Sequence, residues 1–72
     1  DLIRLDADTA ACVAWFLRAP GPLPAQRRAA LDECVRRLER VLPDLEEPGK
    51  AYFERLWRLG CMVQQGNRKR GG

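Results

Sequence analysis

Two proline-rich breaks constrain the fold of this chain more than any other feature. The first covers residues 19–24 (Ala-Pro-Gly-Pro-Leu-Pro), and the second covers residues 43–49 (Pro-Asp-Leu-Glu-Glu-Pro-Gly). Proline removes a backbone donor and clashes with the preceding turn, so a regular helix does not cross either segment. The breaks leave three stretches of helix length in a chain of 72 residues. Such a chain has room for one small domain with one core.

Each of the three stretches has helical patterning, and we predict helices over about 9–18, 24–42 and 49–65. In the middle stretch the apolar residues recur at intervals of three and four, which is the period of one helical face. In the third stretch one such stripe consists of Tyr52, Leu56, Leu59 and Val63. The predicted fold is therefore all-α, a small three-helix domain spanning residues 1–65.

The two ends of the chain lie outside these predicted helices. We expect residues 1–6 to form an extended N-terminal arm, with a short strand as an alternative, and Asp8, with Asp6 as the alternative, to cap the first helix. Gly66 begins a polar, basic stretch, and we expect residues 66–72 to form a flexible, disordered tail. A lone strand would have no partner within the chain, so the arm suggests association with another protein.

The composition removes most of the side chains that small enzymes use. The chain contains neither histidine nor serine, and its three cysteines lie far apart with no pair at metal-ligand spacing. Adjacent carboxylates occur only where helix capping or solvation explains them. We therefore predict a non-enzymatic protein with no catalytic residue, no metal site and no cofactor. An odd number of scattered cysteines and the lack of a membrane-length apolar run favour a cytoplasmic protein with reduced thiols.

The apolar residues exceed what three short helices easily bury. The first helix is uncharged from Thr9 to Leu17, and a helix that is apolar all round is hard to cover in so small a domain. We therefore predict a non-catalytic regulatory protein that binds a larger protein partner, with the transcription machinery as a reasonable target. Aromatic residues and arginine are enriched at interaction hot spots. The predicted contacts are Ile3, Arg4, Leu5, Trp15, Phe16, Phe53, Trp57 and Arg58.

A strand-like Ile3-Arg4-Leu5 followed by two helices resembles the ribbon-helix-helix repressors and antitoxins over Leu2 to Leu42. The resemblance implies a dimer whose paired strands read the DNA major groove, with Arg4 contacting bases. The chain departs from that family in the proline-rich connection after its first helix and in having a third helix. The net charge of +3 lies in the tail, where Arg68, Lys69 and Arg70 are candidate phosphate contacts.

Three hypotheses thus stand at the level of sequence. The first is the protein-binding regulator, and the second is the DNA-binding dimer. The third is a structural or assembly subunit, which predicts self-association, so a homodimer belongs among the alternatives. No membrane partner is expected.

Overall fold

A computed structural model describes residues 1–72 as three α-helices with no strand. Helix α1 spans Leu2–Arg18, α2 spans Ala25–Val41, and α3 spans Gly49–Lys69. A single 3₁₀ turn, Leu42–Asp44, follows α2 directly. The prediction of an all-α, three-helix fold is confirmed. Both proline-rich breaks fall between helices, as expected from the missing amide donors.

The helices form an up-down-up bundle in which α1 and α3 run parallel. Asp6 near the start of α1 contacts Tyr52 near the start of α3, and Phe16 near the end of α1 lies against Gly66 near the end of α3. Helix α2 runs antiparallel to both, since the thiol of Cys12 reaches the carbonyl of Arg27 in its first turn. Every pair of helices is in contact.

The core consists of two adjoining clusters, and the half-buried Trp57 packs against both. At the centre of the bundle Leu31 and Leu38 of α2 are fully buried. Gly60 faces them from α3, where a Cβ would lie only 3.0 Å from the Cγ2 of Val35. The missing side chain lets α2 and α3 approach closely. The remaining buried apolar residues are Leu5, Cys12, Phe16, Leu23, Cys34, Val35, Leu56 and Val63.

The predicted N-terminal arm is wrong, because residues 2–8 are the first two turns of α1. The helix is capped by Asp1, whose carboxylate accepts a hydrogen bond from the amide of Ile3 at 3.0 Å. The buried face of α1 runs through Leu5, Thr9, Cys12 and Phe16. Thr9 belongs to this face because its hydroxyl donates to the carbonyl of Leu5 at 2.7 Å. A polar residue inside the apolar stripe concealed its helical period, so the segment resembled a strand.

The predicted disordered tail is also wrong, because α3 continues to Lys69. Gly66 does not end the helix. A Cβ at this position would lie 2.8 Å from the Cζ of Phe16, so the glycine makes room for that ring. The next residue, Asn67, is buried. The last helical turn is thus held by tertiary contacts that local propensity does not report. None of the three helices combines the length and apolar character that crossing a membrane requires.

Candidate partner-binding surface

An exposed apolar surface runs along the groove between α1 and α3. On α1 the contributing residues are spaced by seven, three and four positions and therefore share one helical face. On α3 Leu59 and Met62 are three positions apart, and Tyr52 lies two turns before Leu59 on the same face. We call this surface the apolar seam, and its members are Ile3, Ala10, Val13, Leu17, Tyr52, Leu59 and Met62.

Most side chains of the apolar seam are solvent-exposed, and Val13 is half-buried. Ile3 is 82% exposed, Leu17 73% and Met62 64%. At the wider end of the seam lies a shallow groove of about 170 Å³. Only apolar residues line that groove, namely Val13, Phe16, Leu17, Leu59, Met62 and Val63. Contiguous apolar area of this kind, as opposed to scattered single residues, is typical of interaction surfaces.

One polar contact crosses the apolar seam near its N-terminal end. The hydroxyl of Tyr52 donates a hydrogen bond to the Oδ1 of Asp6 at 2.7 Å. This bond and the nearby negative charge raise the pKa of Tyr52 above its ordinary value, because ionisation would remove the donor. The contact joins α1 to α3 and occupies the only acidic side chain on the seam.

The structure separates the residues that the sequence proposed as partner contacts. Leu5 and Phe16 are buried in the core and are not available to a partner, so these two predictions are corrected. Both lie on the inner stripe of α1, which the sequence does not distinguish from the outer faces because apolar residues occur on several sides of this helix. Ile3 is exposed and belongs to the apolar seam. Arg4 is exposed on another face of α1.

Trp15 is exposed, as predicted, but it lies on the α1–α2 side of the bundle. The guanidinium of Arg27 in α2 stacks over its indole at 4.8 Å from the ring centroid. Such a contact is worth about 0.5–1 kcal/mol at an exposed site. Trp15 is therefore partly occupied by an intramolecular contact and is separated from the apolar seam.

The predicted patch of Phe53, Trp57 and Arg58 is divided between core and surface. Phe53 and Trp57 are half-buried against the residues of α2. The indole N–H of Trp57 donates to Glu39 at 3.1 Å, which ties α3 to α2. Arg58 is exposed and makes only a long 3.9 Å pair with Glu54. These aromatic residues mainly stabilise the fold.

The basic residues at the C-terminus have different roles. The Nη1 of Arg70 donates to the carbonyls of Phe16 at 2.8 Å, Ala19 at 2.7 Å and Gly21 at 3.3 Å. Its guanidinium also lies 3.7 Å from the centroid of the Phe16 ring. Arg70 thereby satisfies carbonyls at the end of α1, which a helix leaves without partners. Arg68 and Lys69 are exposed.

Asn67 completes this arrangement from inside the bundle. It is only 2% exposed, and its Oδ1 accepts the amide of Leu23 at 2.7 Å. The bond satisfies a buried amide in the proline-rich break, where no helix supplies an acceptor. We call Gly66, Asn67 and Arg70 the C-terminal lock, since together they hold the end of α1 and the first break in place.

The cysteines are placed for packing. Burial raises the pKa of both Cys12 and Cys61, and in Cys12 the neighbouring Cys34 adds to the effect. A raised pKa lowers the thiolate fraction and with it the nucleophilicity of the thiol. No group of three or more Cys, Asp or Glu side chains converges in a geometry that could hold a metal ion.

The sequence-based interpretation missed most of the apolar seam. Tyr52 and Leu59 were assigned to the core stripe of α3, which the structure instead builds from Leu56, Gly60, Val63 and Asn67. Glycine and asparagine carry no apolar signal, so the true stripe was hidden. The sequence contained one signal for this surface. Leu59 and Met62 are three positions apart and share a helical face, and that face is displaced from the one that holds Val63.

Comparison with known proteins finds no matching family model, no matching curated protein and no matching solved structure.

Proposed function

We propose that this chain is a non-catalytic regulatory module that binds a larger protein partner through the apolar seam. The observation that carries the proposal is the exposed apolar surface along α1 and α3, whose residues meet at the groove formed by Val13, Leu17, Leu59 and Met62. Covering apolar surface gains about 25 cal/mol per Å² removed from water. A partner that covers the seam therefore gains the most binding free energy at Ile3, Leu17 and Met62, which are its most exposed side chains.

The side-chain types on the apolar seam suit recognition of a protein. Methionine and aromatic residues are enriched at interface cores, and both occur here as Met62 and Tyr52. The unbranched methionine side chain also adapts to the shape of what it meets. The seam lies on two packed helices, so a partner meets a surface that is already formed.

A non-catalytic role is supported by the state of the candidate nucleophiles. Cys12 is buried with a raised pKa, and its thiol contacts a backbone carbonyl. Glu33, the best-organised carboxylate, is held by Arg36 and Arg37, whose hydrogen bonds lower its pKa below the ordinary value. A carboxylate whose pKa is lowered in this way is a weaker base, which disfavours a role in proton transfer.

The DNA-binding dimer and the structural subunit are the two other hypotheses from the sequence. A ribbon-helix-helix dimer requires a strand where the structure has the first turns of α1, so that mode of DNA binding is not proposed. A structural subunit would use the apolar seam for self-association, and this remains an outcome of the experiments below. The transcription machinery as the partner stays a prediction.

The proposal is tested by capturing partners from cell lysate with matched surface variants. Leu17→Glu/Met62→Glu places two charges in the apolar seam, and both positions are exposed enough to leave the fold intact. Gln26→Glu/Ala29→Glu adds the same two charges on the exposed outer face of α2. We expect a partner that the wild type and the α2 variant capture equally and that the seam variant loses.

Thermal unfolding followed by circular dichroism checks that both variants remain folded. If the seam variant captures the same proteins in the same amounts as the wild type, the apolar seam is not the binding surface. Trp57→Ala/Arg58→Ala, assayed beside it, then tests the patch predicted from the sequence alone.

A further inference from the structure

We infer that the occupant of the apolar seam is an acidic amphipathic α-helix of the partner, which lies along α1 and α3 and completes a four-helix bundle. This inference rests on the proposed function and adds the shape and charge of the partner. Two observations carry it: the spacing of the exposed apolar residues, and two cations on the same face that have no partner within the chain.

The shape of the apolar seam fits a helix. Its residues lie at intervals of three, four and seven on two parallel helices, which is the spacing of a helical face that receives side chains of a neighbouring helix in bundles. At a rise of about 1.5 Å per residue, Ile3 to Leu17 covers roughly 21 Å of α1. Ala10 and the half-buried Ala14 have small side chains, so the backbone of another helix can approach this side of α1 closely. An occupant of about four helical turns matches this length.

The charge of the surface selects an acidic occupant. Arg55 lies one turn before Leu59, and Lys69 lies two turns after Met62, so both share the face of α3 that borders the seam. Both side chains are exposed and form neither an ion pair nor a side-chain hydrogen bond. The one acidic residue of the seam, Asp6, already accepts the hydroxyl of Tyr52. The hydroxyl of Tyr52 is neutral and leaves the charge of Asp6 in place, so the face carries two cations and one carboxylate and remains positive overall. Complementary charge across an interface sets the choice of partner.

The same charges argue against a second copy of this chain as the occupant. In a two-fold symmetric dimer the same patch meets itself, so Arg55 and Lys69 of one copy would face a surface of the same sign. Like charges brought together at an interface cost free energy. A partner helix that presents Glu or Asp beside an apolar stripe avoids this electrostatic repulsion.

Two synthetic probes test the inference directly. Both are fluorescent peptides of about 18 residues with a leucine stripe at helical spacing. One has glutamate flanks and the other has lysine flanks. Fluorescence anisotropy with the full chain should show roughly ten-fold or greater preference for the glutamate peptide, declining as salt is added. Leu17→Ala/Met62→Ala should weaken binding of the glutamate peptide, since it removes apolar contact without changing charge.

Charge reversal provides the decisive comparison. Arg55→Glu/Lys69→Glu should invert the preference toward the lysine peptide. The control Arg4→Glu/Arg28→Glu makes the same change of charge at two exposed arginines away from the seam and should leave the preference unchanged. Equal binding of both peptides by the wild type, or a preference that Arg55→Glu/Lys69→Glu does not alter, would overturn the inference.

The failures of the two proposals are distinguishable. If neither peptide binds but Leu17→Glu/Met62→Glu still loses its captured partner, the proposed function holds and the acidic helix is wrong. If light scattering shows that the wild type is a dimer and the seam variant is a monomer, a second copy is the occupant and the inference is again overturned. If capture never depends on the seam, the proposed function itself fails.

Discussion

The apolar seam and the C-terminal lock invert the usual relation between residue type and burial. The lock buries an asparagine and engages an arginine, while the seam exposes isoleucine, leucine and methionine. Both lie on α3 and both meet α1. The difference is that the lock satisfies backbone groups left open by a helix end and a proline-rich break, whereas the most exposed side chains of the seam, Ile3, Leu17 and Met62, pack little against the rest of the chain. Polar residues here complete the fold, and apolar residues remain for a partner.

The adjacent residues Phe16 and Leu17 give the sharpest test of this contrast. Phe16 is buried between Gly66 and Arg70, so Phe16→Ala should cost about 3–5 kcal/mol in the free energy of unfolding, enough to unfold a small domain. Leu17→Ala removes an exposed side chain of the apolar seam and should change it by about 0.5 kcal/mol or less. Urea denaturation followed by tryptophan fluorescence measures both. Equal costs would mean that the seam contributes to the fold after all.

Asn67 is expected to have the next largest effect. Asn67→Ala leaves the buried amide of Leu23 without an acceptor and should cost about 1–3 kcal/mol. Gln65→Ala, on the exposed side of the same helix, should lie within about 0.5 kcal/mol of the wild type. Hydrogen exchange adds a local reading, because the Leu23 amide should lose its protection in the first variant only. Protection that persists in Asn67→Ala would contradict the role given to this hydrogen bond.

Arg70 should contribute less, since water can replace part of its role near the surface. Arg70→Ala should lower the free energy of unfolding by about 1 kcal/mol through loss of the hydrogen bonds to the end of α1. Arg68→Ala removes the same charge from an exposed side chain and should have almost no effect. If the two variants are equally stable, the C-terminal lock consists of Gly66 and Asn67 alone.

The smallest effect is expected within the apolar seam, at the hydrogen bond from Tyr52 to Asp6. The chain has a single tyrosine, so its phenolate absorbance reports one group. Tyr52 should ionise at higher pH in the folded chain than in urea, and Asp6→Asn should remove most of the difference. Because the folded pKa is raised, the stabilisation is fully present below the unfolded pKa and is lost as the pH rises through the folded value. An ionisation curve unchanged by Asp6→Asn would show that the bond does not persist in solution.

The number and approximate position of the helices could be predicted from the sequence. Proline acts through its own backbone, whatever surrounds it, so residues 19–24 and 43–49 separate the helices as expected. The apolar stripe of α2 could also be predicted, because its pattern is local to the helix. Leu31, Val35 and Leu38 are spaced regularly with charged residues between them, and they are the residues that the structure buries.

The C-terminal end of α3 could not be predicted, because distant residues decide it. Residues 66–69 are helical where Phe16 fills the space beside a glycine and where Leu23 needs an acceptor. Both partners lie more than 40 residues away. Residues 2–8 are helical because the hydroxyl of Thr9 is satisfied within the helix while its small side chain packs inside. This contact is local, as is the cap at Asp1, but a polar threonine within the apolar stripe hid the helical period of the segment.

The candidate surface depended on the tertiary structure even more. The amino-acid sequence was enough to predict three helices and an excess of apolar residues over the capacity of so small a core. It did not determine which of them stay outside, since α1 is apolar on several faces and only the positions of α2 and α3 select the buried one. Burial is a property of the assembled bundle, so the exposed face along α1 and α3 appears only once the three helices have packed.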